Sequence, residues 1–166
     1  FMKDGFQGSK ATMDDWGLHL STLFPDARMK KFIEIRGCDA NSFDMTVALG
    51  AFSAGLLYDE TACKEACALT ERWSWEERLE FADAVNRQGI LAPLPGGKGI
   101  AADMADELLA IVRAGLRRRD PSEIPFLEPI EEVVVTHRTH ASRLVELWKK
   151  HEGDPSRIIP YLSYYG

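Results

Sequence analysis

One short stretch of this chain, residues 30–37 with the sequence KKFIEIRG, has the pattern of a β-strand. Its isoleucines alternate with charged side chains, and Gly37 closes it. A strand is not stable by itself, because its backbone donors and acceptors need a partner strand. We therefore expect the sheet to be completed by chain outside these 166 residues, although a second copy or a second strand with no visible pattern could also complete it.

The rest of the chain predicts helices. Apolar residues at helical spacing predict a helix over residues 12–23, with Thr12 as its N-cap. Residues 43–58 are almost all apolar or small, and they predict a buried helix, with Gly50 and Gly55 inside, that packs closely on its neighbours. Further helices are predicted over residues 61–73, from the Ser74–Glu77 capping box to about Arg87, over residues 100–119, from about residue 126, and from Thr139 or Ser142. The expected fold class is α+β, a mostly helical chain with one or few strands of an antiparallel sheet.

The charge balance disfavours a nucleic-acid-binding protein. The chain has 26 acidic and 20 basic residues and a formal net charge of -6, whereas such proteins normally carry a basic face. The one basic cluster, residues 117–119, ends a predicted helix, where the macrodipole stabilises cations. No apolar stretch is long enough to span a membrane, and no signal-peptide pattern is present. Because the chain begins at Phe1 rather than Met, we expect it to belong to a longer protein.

The three cysteines are Cys38, Cys63 and Cys67. An odd number without a cysteine framework indicates a reducing compartment, and we expect the cytoplasm. Cys63 and Cys67 would share one helix face, but two thiols alone make a poor zinc site. We expect them to be small buried residues.

The predicted strand offers one face with possible chemistry. Phe32, Glu34 and Arg36 point to one side, and Ile33 and Ile35 point to the other, which we expect to face a core. Glu34 and Arg36 would lie about 6–7 Å apart along the strand. A carboxylate can hold Mg²⁺, and a guanidinium can grip phosphate oxygens. The alternative is a solvent-facing ladder of salt bridges, and the E-x-R pattern alone does not separate the two.

A longer pattern surrounds this strand. The segment DDWGLHLSTLFPDARMKKFIEIRGCD, residues 14–39, resembles glutamate–cysteine ligases of the type found in plants and many proteobacteria. Those enzymes carry the pattern D-W-x-x-H-L-T-T-x-F-P-E-x-R-L-K-x-Y-[LI]-E-x-R-G-A-D. Further segments are similar to the family in the same order: ALGAFSAGLLYDE, AGLRRR, FLEPIEEVV and GDPSRIIPYLSYY.

This resemblance implies a fold of the glutamine synthetase and guanidino kinase type, with residues 1–166 as the C-terminal part of a single catalytic domain. It implies that ATP phosphorylates the γ-carboxylate of L-glutamate and that the amine of L-cysteine attacks the acyl phosphate, as the first step of glutathione biosynthesis. The implied cofactors are ATP and Mg²⁺. At matching positions, Glu34 looks like an Mg²⁺ ligand and Arg36 like a catalytic contact to the ATP phosphate. Most other ligands would lie upstream of Phe1, so we expect the fragment alone to be inactive.

Two alternatives remain open. One is the equivalent ligase of ergothioneine biosynthesis, which uses the same chemistry. The other is a non-catalytic helical module that binds a partner through its apolar faces. The Glu34 and Arg36 side chains distinguish a ligase from the second alternative. An interaction module would leave both side chains solvated, and they could be replaced without loss of function.

Overall fold

The computed structural model describes residues 3–162, and the end of the tail resemblance, residues 163–165, lies outside them. The chain divides into two compact units, Phe1–Ala40 and Asn41–Gly166. The first unit contains helix α1 (Met13–Ser21) and strands β1 (Ala27–Met29) and β2 (Ile33–Ile35). The second contains α2 (Phe43–Leu57), α3 (Glu60–Thr70), α4 (Trp75–Gln88), α5 (Ala101–Arg119), α6 (Glu128–Thr136), α7 (His140–Lys150) and α8 (Pro155–Leu162), with short 3₁₀ helices at Gly89–Leu91, Pro95–Gly97 and Pro121–Leu127. The predicted α+β, mostly helical class is confirmed.

The first unit is one helix followed by a β-hairpin. Thr12 caps α1 as predicted, and it forms a reciprocal capping box with Asp15. β1 pairs antiparallel with β2, and Arg28 lies directly opposite Glu34. The partner of the predicted strand is therefore a second strand that the sequence pattern did not reveal, which was one of the open alternatives.

The predicted core face of β2 is wrong. Ile33 is 67% exposed and Ile35 is 49% exposed, whereas Glu34 between them is partly covered. Strand alternation fixes which side chains share a face, but it does not fix which face is covered. Two strands of three residues each present too small a surface to bury either isoleucine.

The second unit has its core where α2 crosses α5. Ala51 of α2, Val112 and Leu116 of α5, and Leu127 form one buried cluster. The close packing predicted for α2 occurs at Gly55, because a Cβ there would lie 2.7 Å from the carbonyl oxygen of Val112. Gly50 of the same helix is exposed, and a Cβ there would contact nothing within 4 Å.

The basic end of α5 behaves as predicted. Arg118 donates two hydrogen bonds to Asp59, at 2.7 and 2.9 Å, and Arg119 pairs with Glu123. Asp59 also accepts the backbone N–H of Ala62 at 2.8 Å and so caps α3. The basic cluster therefore lies at the C-terminal end of α5, and its ion pair with Asp59 connects this end to the start of α3.

The prediction that Cys63 and Cys67 are buried is wrong. Cys38 and Cys67 are exposed, and Cys63 is partly covered. Cys38 lies in the irregular segment after β2, and Cys67 lies on the outer side of α3, where nothing in the described residues covers it.

None of the helices within residues 3–162 has the length and apolar character needed to cross a membrane.

Candidate functional site

The hairpin positions both side chains that the sequence predicts for the site. Glu34 is the central residue of β2. Arg36 follows the strand, and its backbone N–H donates to the carbonyl oxygen of Asp26 at 2.6 Å, which extends the pairing by one step beyond β1. The backbone at both positions is therefore fixed by the hairpin.

Glu34 is held by cations of the opposite strand and the turn. Arg28 donates to its Oε2 through Nε at 3.0 Å and through Nη2 at 2.9 Å. The Nζ atom of Lys30 lies 3.3 Å from the same oxygen. The hydrogen bond from Arg28 is the main cause that lowers the pKa of Glu34, and that from Lys30 adds to it, whereas partial burial opposes both. The carboxylate is therefore ionised at neutral pH.

Arg36 has a different neighbour. Its guanidinium carbon lies 4.8 Å from the centroid of the Phe24 ring, in a cation–π contact. Within the described residues, the ion pairs of Glu34 go to Arg28 and Lys30 and not to Arg36. The two predicted site residues are thus close in sequence and on the same side of the strand by alternation, but they do not neutralise each other.

The salt-bridge ladder that was the alternative interpretation is present. Sequence reasoning missed Arg28 and Lys30, although a signal existed. If a hairpin turn is placed at residues 30–32, Arg28 falls opposite Glu34 and Lys30 lies on the diagonal. The ladder shows what holds the carboxylate, and the role of Glu34 as a metal ligand remains a prediction.

The site fits magnesium only as part of a larger ligand set. No group of three or more His, Cys, Asp or Glu side chains within residues 3–162 could hold a metal ion. Mg²⁺ is commonly bound by one or two carboxylates together with substrate phosphates and water. Glu34 fits one such position, because its contacts with Arg28 and Lys30 all end on Oε2 and do not use Oε1.

The second unit has a separate cavity of about 700 Å³. The first turns of α2, α6 and α7 line it, together with residues that precede them, and the Arg143–Glu132 ion pair forms part of its wall. Asp44 and Glu128 add two further carboxylates, each in the first turn of its helix. The helix dipole accounts for acidic residues at these positions. Neither residue predicted for the site lines this cavity.

Comparison with known proteins identifies the family. The family model described as glutamate-cysteine ligase family 2 matches residues 2–159. The chain is 38% identical over 158 residues to the chloroplastic glutamate–cysteine ligase of Medicago truncatula, a match that covers 95% of this chain and 31% of that protein. It is 36% identical to chloroplastic glutamate–cysteine ligase A of Oryza sativa subsp. indica, over 86% of this chain and 28% of the relative. The corresponding protein of Arabidopsis thaliana is 34% identical, over 88% and 28%.

The chain therefore spans less than a third of the length of these relatives, and the match extends over almost all of its own residues. It covers the hairpin with Glu34 and Arg36 as well as helices α1 to α7. The chain belongs to glutamate-cysteine ligase family 2.

Proposed function

We propose that the chain is the C-terminal part of the catalytic domain of an ATP-dependent ligase that joins L-glutamate to L-cysteine. The observation that carries the proposal is the charged face of the hairpin. An ionised carboxylate, Glu34, lies there among Arg28 and Lys30, with Arg36 beside it along the strand. Family membership favours this chemistry, because the curated relatives are named glutamate–cysteine ligases.

In the proposed reaction, the γ-phosphoryl group of ATP is transferred to the γ-carboxylate of glutamate, the bond between the β- and γ-phosphates breaks, and ADP leaves. The amine of cysteine then attacks the carbonyl carbon of the acyl phosphate, inorganic phosphate leaves, and the amine loses a proton. Magnesium, when bound, screens the charge of the nucleotide phosphates. Glu34 would supply one oxygen ligand to it, and Arg36 would place its guanidinium against the phosphoryl group as it moves.

Substitution of the two residues in the whole protein tests this assignment. Glu34→Gln removes the charge at nearly constant volume, and Arg36→Ala removes the cation. We expect each to lower kcat for γ-glutamylcysteine formation by about 100- to 1000-fold, the usual effect of losing one electrostatic contact to a transition state. Product is measured by separating the dipeptide after a timed reaction with ATP and Mg²⁺.

Matched controls are available on exposed helices. Glu60→Gln and Arg87→Gln each break an i,i+4 ion pair on α3 or α4, and both side chains are more than 70% exposed. We expect both to retain normal turnover. Normal turnover in both Glu34→Gln and Arg36→Ala would remove the mechanistic claim.

The 166-residue chain alone should not turn over substrate, because it represents 28–31% of the relatives' length.

The proposed compartment is a reducing one such as the cytoplasm. The names of the relatives place those proteins in the chloroplast. A ligase of the ergothioneine pathway would share the same site. An assay in the intact source cell of which end product is formed, glutathione or ergothioneine, separates the two pathways.

A non-catalytic interaction module is the second candidate. The observation that favours it is the exposure of large apolar side chains on several helices, among them Phe43 at 75%, Trp75 at 67% and Val135 at 80%. In the ligase proposal, such surfaces pack against the rest of the catalytic domain. Full activity with both hairpin residues replaced would favour the module instead.

A further inference from the structure

We propose that Arg28 is a positioning residue for the magnesium site. It holds Oε2 of Glu34, so that Oε1 is the oxygen presented to the cation. The inference rests on the proposed function, since it concerns how Glu34 performs the role suggested there. It adds a residue from the opposite strand to the two that the E-x-R pattern identified.

Arg28 contacts Glu34 through a single carboxylate oxygen. Arg28 and Glu34 are directly opposed in the β1–β2 register. A guanidinium frequently meets a carboxylate with one N–H on each oxygen. Here Nε and Nη2 both donate to Oε2, at 3.0 and 2.9 Å. The contact therefore fixes the carboxylate through one oxygen and leaves the other out of the ion pair.

The Arg28 side chain is itself held in place by its surroundings. Its side chain is only 19% exposed, compared with 45% for Lys30. Its Nη1 atom lies 3.5 Å from the carbonyl oxygen of Ser21, at the end of α1. Because the guanidinium contacts both the helix end and the strand, it has fewer alternative orientations than the more exposed ammonium of Lys30. Arg28 is therefore the cation suited to fix the direction of the carboxylate.

Carboxylates that bind metal ions depend on the groups that surround them. A ligating carboxylate is oriented by the hydrogen bonds that it accepts, and loss of such an outer partner typically weakens metal binding about 10- to 100-fold. A purely structural ion pair predicts something different. Its loss would lower the stability of the hairpin and leave the metal affinity of the folded protein unchanged.

The experiment measures metal binding directly in the whole protein with ATP bound. Mn²⁺ replaces Mg²⁺ as the probe, and the free ion is quantified by electron paramagnetic resonance, so that the result does not depend on turnover. We expect Arg28→Gln to weaken Mn²⁺ binding about 10- to 100-fold. Arg28→Lys keeps the charge but cannot place two rigid N–H groups on one oxygen, so we expect an intermediate loss. Arg87→Gln, in an exposed pair on α4, is the matched control and should bind as the unmodified protein does.

Thermal unfolding is recorded for every variant, and binding is compared at a temperature where all are folded. If Arg28→Gln does not fold, Arg28→Lys decides the question, and an unchanged affinity in that variant overturns the inference. Normal Mn²⁺ binding by Arg28→Gln together with weak binding by Glu34→Gln would also overturn it, while the proposed function would stand. Normal binding by both would show that Glu34 is not a ligand, and the proposed site would fail with it.

Discussion

On the hairpin, one carboxylate is shared by two cations, and a third cation lies on the same side of the strand. Arg28 and Lys30 contact Glu34, and Arg36 follows two residues later. Positive charge therefore exceeds negative charge on this face. Such an excess attracts a ligand with several negative charges, as a nucleotide triphosphate has. The salt-bridge ladder and the phosphate site are thus compatible, because the ion pairs that build the ladder also keep Glu34 ionised.

Asp59 shows a second ion pair whose effect on stability should depend on pH. Hydrogen bonds from Arg118, and next from the backbone of Ala62, lower its pKa from 3.8 to about 2. A carboxyl group whose pKa is lowered by folding stabilises the folded state above its ordinary pKa, and this contribution is lost as the pH falls through the lowered value. We expect the unmodified protein to melt at a higher temperature than Asp59→Asn at pH 6, and the difference to shrink between about pH 4 and pH 2.

Melting curves at pH 6, 4 and 2.5 measure this difference. Asp106→Asn removes one carboxylate from an exposed position of α5 and corrects for the change in net charge. A difference between the unmodified protein and Asp59→Asn that stays constant, or that grows on acidification, would contradict the assignment of the pKa shift to the Arg118 contact.

At the residue scale, the sequence identifies the candidate site residues well but predicts poorly which side chains contact them. Glu34 and Arg36 stand out because alternation and the family pattern both select them. Their partners do not stand out, because the position of Arg28 opposite Glu34 can be recognised only once the register of the hairpin is known. The exposure of Ile33 and Ile35 also depends on what covers the sheet, which no local pattern contains.

Among the elements, the crossing of α2 and α5 sets the packing of the second unit. Gly55 and Gly115 are both buried. Gly115 lies against the carbonyl group of Gly55, and Gly55 lies against the carbonyl oxygen of Val112. A Cβ at position 115 would fall well inside the contact distance of the Gly55 carbonyl oxygen. Both helices must therefore keep a position without a side chain at the crossing, and backbone rather than a flexible side chain would have to move to accommodate one.

We expect Gly115→Ala to destabilise the protein by at least about 3 kcal/mol, the upper end of the usual cost of overpacking. The matched change Gly50→Ala lies in α2, at an exposed helical position with open space around it. It should stabilise by about 0.5–1 kcal/mol, because alanine loses less backbone entropy than glycine in a helix. Chemical denaturation of the two variants checks both values. Equal effects of the two substitutions would show that the close approach of α2 and α5 is not as described.

Element boundaries were predictable where a local signal exists. Thr12 and Ser74 cap their helices as predicted, since a capping side chain bonds to a backbone N–H three residues away. β1 was missed because its three residues, Ala27–Met29, contain no β-branched or aromatic side chain. α8 was missed because Pro160 lies inside it and its eight residues are too few to show a clear helical periodicity.

At the scale of the whole molecule, the two units differ in how much they bury. Every apolar residue that is buried within residues 3–162 belongs to the second unit, and no side chain of residues 3–40 is buried. Val112, Leu116 and Leu127 are fully covered in the second unit. A helix and a hairpin with no buried residue lack the apolar contact that offsets the entropy of folding.

This difference predicts how the two units behave when they are separated. Residues 41–166 expressed alone should unfold cooperatively on heating and give a dispersed amide NMR spectrum, because all four residues of the buried cluster lie within this unit. A peptide of residues 1–40 should show no cooperative transition, since short helices and isolated two-stranded hairpins are marginal in water. Circular dichroism against temperature measures both. A cooperative transition in the short peptide would mean that α1 and the hairpin stabilise each other without a buried core, and the hairpin geometry of Glu34 and Arg28 could then be studied in the isolated peptide.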